Sequence, residues 1–225
     1  MTDIIALFDL DGTLSSGRIW EGFLKYYLIR KKKRAWILAF WVTHLALWLL
    51  NKCKLLGSEK YKVKWLEDLS GIFKGASEEE VIDVYHWVSD NYISKSLRND
   101  VVEILNQHKQ SGHIVVIVSA TYSKLLQIVG QRLGVPYVVG TKLEVIDGKY
   151  TGKTVKPLCF GENKAKLLKE FIDQNGLEID SSSSFAYADT IFDVPFLELV
   201  GNPVATYSDK DLRQLAEHNG WRILP

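Results

Sequence analysis

Apolar residues recur along this chain at two different periods. Near the start, Ile4-Ile5-Ala6-Leu7-Phe8 is an unbroken apolar run that leads into Asp9, Leu10 and Asp11 and is stopped by Gly12 and Thr13. A short apolar run ended by glycine predicts a buried parallel strand, here Ile4 to Leu10, whose carboxyl end opens into a turn. From Ile19 to about Asn91 the spacing is helical. Within that stretch, Ala35 to Leu50 is apolar except for Thr43 and His44. From Ser96 the two periods alternate. Helices are expected at Leu97–Lys109, closed by Gly112, and at Leu125–Leu133, stopped by Gly134. Others are expected at Glu162–Gln174, Val194–Val200 and Leu212–His218. Strands are expected at His113–Val118, Phe185–Ala188, Pro203–Tyr207 and Trp221–Leu224. Tyr137–Val145 and Lys149–Gly152 form a strand and hairpin around an Asp147-Gly148 turn. Strands alternating with helices predict an α/β fold, a doubly wound parallel sheet. The helical stretch after the first strand then becomes an inserted α-helical cap. The expected division is residues 1–14 and 96–225 as the core and 15–95 as the cap.

Charge adds to this division. The 225-residue chain has a net charge of only +1, with no low-complexity tract. Between Arg18 and Lys74, however, thirteen Lys/Arg stand against four Asp/Glu, and five of the seven tryptophans (Trp20, Trp36, Trp41, Trp48, Trp65) fall there. A basic, Trp-rich insert therefore sits in an acidic body. The two cysteines, Cys53 and Cys159, are far apart and form no C-x-x-C pair, which suits a reduced, cytoplasmic setting. The five histidines lack zinc-ligand spacing. Asp3, Asp9 and Asp11 interrupt any basic-then-apolar leader, so no signal peptide is expected.

Polar groups then stand out at four strand ends or helix starts: Asp9/Asp11, Ser119, Lys164 and Asp189/Asp193. Ligands of open α/β sheets bind at the carboxyl ends of strands. Taken singly, each has an ordinary use, because an Asp or Ser ending a strand commonly closes a turn. Together, Asp9-Leu10-Asp11-Gly12-Thr13, Val118-Ser119-Ala120, Lys164 and Tyr187-Ala188-Asp189 through Asp193 resemble, in order, the four motifs of the haloacid dehalogenase superfamily. The chain is similar to the subclass that includes the phosphoserine phosphatases. The resemblance implies a Rossmann-like core, an Mg²⁺-dependent phosphomonoester hydrolase and an aspartyl-phosphate intermediate.

It implies roles that the chemistry supports. Asp9 is the nucleophile. Asp11 is the general acid and base, which needs a raised pKa under an apolar cap. Mg²⁺ is held by Asp9, the backbone carbonyl of Asp11, and Asp189. Ser119 and the Ala120 backbone hold phosphate oxygens, and Lys164 supplies fixed positive charge. Lys166 is the rival for that role, although Lys164 is the one that opens its helix. Thr13, counted with the phosphate-binding residues, either orients Asp11 or bonds its own turn. Asp193, preceding Val194-Pro195, either supports the metal from behind or N-caps the following helix.

Two positions depart from the family pattern. Phe192 stands where many members carry Asn. Arg18 stands where phosphoserine phosphatases carry the Glu that resembles an anchor for the substrate amine. A cation there repels an ammonium and attracts an anion, so Arg18 is counted with the substrate-binding residues and phosphoserine is disfavoured. The expected substrate is an anionic phosphate monoester, a lipid one among the candidates. The alternatives are a soluble metabolite, transfer to an acceptor other than water, or a non-catalytic membrane- or protein-binding module that keeps the fold.

The cap segment Ala35–Leu50 reaches only ~24 Å as a helix, short of the ~30 Å hydrocarbon core. A single crossing would also separate Asp9 from Ser119. It is therefore a helix buried in the cap, a dimer contact, a re-entrant hairpin or an interfacial helix. Its flanks, Arg30-Lys31-Lys32-Lys33-Arg34 before and Lys52 and Lys54 after, favour the interface. Residues 30–54 are the expected contact with an anionic membrane, at its cytoplasmic face. A long apolar, basic-flanked segment at this place also resembles the bacterial phosphatidylglycerophosphate phosphatases of the superfamily. Nucleic acid is not an expected partner, because the segment is too apolar. Nothing in the sequence sets an oligomeric state.

Overall fold

The computed structural model describes residues 2–225. β1 is Ile5–Phe8, and four helical segments follow it: α1 (Ile19–Ile29), α2 (Arg34–Lys52), α3 (Ser58–Leu69) and α4 (Glu78–Val88). A 3₁₀ turn, Ser70–Phe73, separates the last two, and a π turn, Ser89–Ile93, runs into the single-turn α5 (Ser94–Ser96). The remainder alternates: α6 (Asn99–Gln110), β2 (Ile114–Tyr122), α7 (Ser123–Leu133), β3 (Tyr137–Thr141), β4 (Leu143–Ile146), β5 (Lys149–Thr154), α8 (Glu162–Gln174) and β6 (Phe185–Ala188). After a 3₁₀ turn at Ile191–Asp193 come α9 (Val194–Leu197), β7 (Asn202–Thr206), α10 (Lys210–Asn219) and β8 (Arg222–Leu224).

Six strands form one sheet in the order β3-β2-β1-β6-β7-β8, every neighbouring pair parallel. This is the doubly wound parallel sheet the alternation predicts. In β1, Ile5 and Leu7 enter one hydrophobic cluster while Ala6 and Phe8 enter the other. In β2, Val116 and Val118 join the first, and Val115 and Ile117 the second. Period-two geometry thus gives the sheet an apolar layer on each side. The reversal of strand order lies between β1 and β6, the place where open α/β sheets bind ligands.

The helical segment leaves and returns through adjacent strands of chain. Ser16 N–H donates to Ser96 O at 2.8 Å, Arg98 N–H donates to Leu14 O at 2.9 Å, and the Ser15 and Ser96 hydroxyls lie 2.7 Å apart. Ile19, Phe23 and Tyr27 of α1, Ile37 and Phe40 of α2, and Ile72 and Phe73 share one cluster with Ala6 and Phe8. The hairpin β4–β5 turns at Asp147 and Gly148, both with positive φ (50° and 72°), as an Asp-Gly two-residue turn demands.

Several boundaries differ from the sequence expectation, and the expected strand Tyr137–Val145 is two: β3 stays in the main sheet, whereas β4 pairs with β5 in the separate hairpin. β1 ends at Phe8 rather than Leu10, because Asp9 O and Leu10 O turn to accept from Leu14 and Ser15 N–H. β2 continues past Val118 to Tyr122, through an irregular register with β3. The Val194–Val200 helix closes after Leu197. The apolar helix is longer than the stretch of apolar residues, because Arg34, Asn51 and Lys52 extend it to 19 residues. At ~28 Å it comes close to the thickness of a hydrocarbon core. By length and composition α2 is, among the described residues, the one helix that could cross a membrane. It nevertheless packs Ile37, Phe40 and His44 inward, against α3 and its neighbours.

Candidate active site

Asp9 follows β1 directly, its N–H donating to Tyr187 O on β6 at 3.0 Å. Its side chain is 5% exposed, and Oδ1 accepts from Lys164 Nζ at 2.7 Å. Lys164 reaches this point from the first turn of α8, 2% exposed, and Nζ also donates to Asp193 Oδ1 at 2.7 Å. Lys166, two residues on, is exposed. Asp193 Oδ2 accepts from the Thr190 hydroxyl at 2.8 Å. Asp193 makes no side-chain cap to α9, so of its two expected roles the N-cap is excluded; it pairs with Lys164.

Asp189 completes the cluster at the end of β6. Ligand atoms of Asp9, Asp189 and Asp193 lie within 4.8 Å of one another. Asp189 Oδ1 is buried with no hydrogen-bond partner among the described residues. Gly12 has φ +93°, and a Cβ there would stand 2.0 Å from Asp189 Oδ2, so only glycine leaves room for that carboxylate. Three carboxylates against one ammonium leave an excess of two negative charges in a buried place. The electrostatics register that excess. Burial, reinforced by Asp193 and Asp11 and opposed by Lys164, pushes Asp9 up to about 7. Burial together with Asp9 and Asp193 pushes Asp189 up to about 8. Burial by itself would lower Lys164, but the Asp193 and Asp9 carboxylates override it and hold the ammonium well above its usual range. A divalent, oxygen-seeking cation fits this donor set: it would supply the missing two charges and a partner for the orphaned Asp189 oxygen.

Asp11 is held apart from that cluster. Its Oδ1 accepts from Ile19 N–H at 2.8 Å, at the start of α1, and its Oδ2 accepts from the Thr121 hydroxyl at 3.2 Å. Burial raises its pKa to about 6 against the lowering effect of those two donors. Thr121 was not anticipated. The signal for it was Ser-x-Thr at a strand end, where alternate residues share a face. Thr13 does neither task expected of it: it is fully buried, its hydroxyl has no partner among the described residues, and it lies outside the lining of the cavity. Asp11 is instead held by Ile19 and Thr121.

A cavity of about 840 Å³ opens over these groups, and it is lined by Asp9, Asp11, Ser119, Ala120, Lys164, Asp189 and Asp193 at its floor. The Ser119 hydroxyl accepts from Thr121 N–H at 3.2 Å. Arg18, exposed at the N-cap position of α1, also lines the cavity. So do two cations that sequence reasoning missed. Arg98 Nε donates to Gly12 O at 3.3 Å and its guanidinium stacks 3.5 Å over the Tyr207 ring. Lys62 of α3 places its ammonium 4.1 Å over the ring of Phe192, the residue that departs from the family's Asn. Burial lowers the Lys62 pKa, while Asp209, Asp189 and Asp193 act in the other direction. Only the folded chain brings Lys62 to this point, 130 positions from Phe192. Cys159 also borders the cavity, but burial pushes its thiol up to about 12, so it is no nucleophile at neutral pH.

Comparison with known proteins bears on the family and the fold. The model of the haloacid dehalogenase-like hydrolase family matches residues 6–198. The chain is 29% identical over 225 residues to a Mycobacterium tuberculosis protein named phosphoserine phosphatase SerB1, covering 97% of this chain and 69% of that protein. It superimposes on a protein of unknown function from Bordetella pertussis Tohama I with a TM-score of 0.84 and 26% identity, covering 100% of this chain and 99% of that one. A substrate-bound phosphoserine phosphatase shares the fold, with a TM-score of 0.66 at 17% identity, over 100% of this chain and 93% of its own.

Proposed function

The chain belongs to the haloacid dehalogenase-like hydrolase family, and from that premise we propose that it hydrolyses phosphate monoesters through an aspartyl-phosphate on Asp9, with Mg²⁺ as cofactor. The observation that carries the reading is the buried Asp9–Lys164–Asp193 chain of 2.7 Å contacts, which together with the flanking Asp189 is short of two positive charges.

A free Asp9 carboxylate oxygen attacks phosphorus and the ester oxygen departs. Asp11, with a pKa near 6, gives that oxygen its proton. A water then attacks the phosphorus of the acyl phosphate, Asp11 takes its proton, and phosphate leaves with Asp9 regenerated. A pKa close to neutrality lets one carboxyl serve in both directions. Lys164 holds Asp9 in place and faces the charge that spreads over the transferring group. Ser119 and the strand-end N–H groups of β2 cradle phosphate oxygens. Asp9, Asp189 and the Asp11 carbonyl, with Asp193 behind them, would hold Mg²⁺, which would supply the charge neutralisation that lets an anionic nucleophile meet an anionic phosphate.

Arg18, Lys62 and Arg98 draw an anionic or amphiphilic monoester into the cavity. The same cations disfavour an ammonium beside the phosphate, so phosphoserine is a poorer substrate than an ester without an amine. The unpaired thiols, Cys53 exposed among them, suit a reducing cytoplasm. Asp9→Asn removes Mg²⁺-dependent hydrolysis of a generic aryl phosphate while far-ultraviolet circular dichroism stays that of the parent. Retained turnover in that variant would falsify the nucleophile.

A further inference from the structure

The cavity above Asp9 continues into the cap. Its far wall is built by Trp20, Trp41, Leu45, Trp48 and Trp65. Three of these come from different helices and meet edge to face: Trp20–Trp41 at 5.8 Å, Trp20–Trp65 at 5.4 Å and Trp41–Trp65 at 5.7 Å between ring centroids. The polar floor and the aromatic wall are joined by one turn of α1, because Ile19 N–H holds Asp11 and Trp20 is the next residue. A site with carboxylates at one end and indoles at the other takes a molecule with a phosphate head and an apolar body.

The wall does not end inside the protein. Trp41 is 43% exposed, Leu45 58% and Trp48 42%, although all three line the cavity. They adjoin a stripe on the outer side of α2 formed by Leu38, Val42, Leu45 and Leu49, spaced four, three and four residues apart. Of the twelve exposed large apolar side chains among the described residues, ten lie between Leu28 and Leu55. A single apolar surface therefore runs from outside α2 into the active site. Residues 22–58 contain eight Lys/Arg and no Asp or Glu. That charge selects the occupant: an anionic bilayer attracts such a segment by ~1 kcal/mol per basic residue near its surface. A second copy of the chain would bring the same eight cations to the contact.

Resting on the phosphatase reading above, we propose that α2 lies on an anionic membrane surface and that its Trp41–Trp48 edge passes the apolar part of an amphiphilic phosphate monoester directly into the cavity over Asp9. The head then reaches Arg18, Lys62 and Lys164 without the tail crossing water.

The test uses the full chain and a triple variant, Leu38→Gln with Val42→Gln and Leu49→Gln, whose side chains lie outside the cavity. The parent sediments with phosphatidylcholine vesicles containing phosphatidylglycerol and much less with phosphatidylcholine alone. The triple variant loses about tenfold in vesicle affinity and keeps the parent's turnover of an aryl phosphate. In detergent-free solution, kcat/KM rises along a series of short monoalkyl phosphates, by roughly fourfold per methylene seated against the wall, and Trp48→Ala flattens that rise. Absence of vesicle binding by the parent overturns the docking, as does a parent dimer that the triple variant dissociates. Equal kcat/KM along the alkyl series overturns the substrate class. Absence of aryl phosphate hydrolysis by the parent sinks the phosphatase reading alone, since vesicle binding is read without turnover.

Discussion

The end of β1 and the outer side of α2 invert the usual rule of burial in opposite senses. Around Asp9, three carboxylates and an ammonium are enclosed where apolar groups normally go. Along α2, leucines and tryptophans face out where polar groups normally go. The first region is over-determined: Lys164 makes two 2.7 Å contacts, Thr190 braces Asp193, and Gly12 makes way for Asp189. The second is under-determined, since only Ile37, Phe40 and His44 of its nineteen residues are buried. Local energetics explains neither arrangement. A buried excess of negative charge costs stability, and so does exposed apolar surface. Each would be offset by the ligand proposed for it: a cation and phosphate in one case, an anionic membrane surface in the other.

The comparison breaks most sharply at Lys164. Lys164→Met leaves Asp9 and Asp193 without a counter-charge, and the expected loss is roughly 3–5 kcal/mol of unfolding free energy, read by urea denaturation, with hydrolysis lost as well. A loss below that of an ordinary surface substitution would show that the cluster is neutral in the folded protein. The two sides of α2 should differ by a similar margin. Phe40→Ala, on the inner side, is expected to cost about 3–5 kcal/mol, whereas Leu38→Gln, on the outer side, should stay within about 0.5 kcal/mol. Equal costs would mean that the outer stripe is covered in the isolated protein.

A smaller effect sharpens the electrostatic side. His108 is buried behind β1, its Nδ1 2.8 Å from His113 Nδ1 and its Nε2 2.8 Å from the Tyr187 hydroxyl. Burial, with His113 adding, lowers its pKa from 6.5 to about 4. Between those values the unfolded chain binds a proton that the folded chain refuses. The stability from a neutral His108 is therefore fully present above pH 6.5 and is lost as pH falls toward 4. Subtracting the Tm-versus-pH curve of His108→Gln from that of the parent, at fixed Mg²⁺, isolates this slope; parallel curves would mean that His108 is not held neutral. The smallest expected effect is at the cavity rim. Arg18→Glu should lower kcat/KM for an acidic monoester by about tenfold, the ~1.4 kcal/mol of one partly screened charge reversal, and that for a neutral aryl phosphate by less.

Much of the fold was legible because its signals are local. Ile4–Phe8 and His113–Val118 read as buried strands from their own composition, Gly134 marked the end of α7, and Asp147-Gly148 marked a hairpin. Most motif residues were legible too, since Asp9 and Asp189 directly follow strands and Lys164 opens a helix, whereas Ser119 lies inside β2. What was not legible depends on which side chains meet across long separations. Thr121, not Thr13, holds Asp11, because β2 continues three residues past Ser119 and carries the hydroxyl to the carboxylate. Asp193 was read as a cap or as metal support. Its pairing with Lys164, 29 positions away, depends on α8 and the β6 turn converging. The length of α2 was underread because the count stopped at the last apolar residue, while a helix continues through charged ones that remain in solvent.

The sequence by itself determined the alternation of strand and helix, the placing of carboxylates and an ammonium at Asp9, Asp11, Lys164 and Asp189, and the basic, Trp-rich character of the segment after β1. Period, turn residues and side-chain chemistry are properties of neighbours along the chain. The tertiary structure alone decided that Lys164 bridges Asp9 and Asp193, that Lys62 stands over Phe192, and that three tryptophans from three helices wall the same cavity that holds the carboxylates. Those are contacts between side chains dozens of positions apart, and they exist only where the cap closes over the ends of the strands.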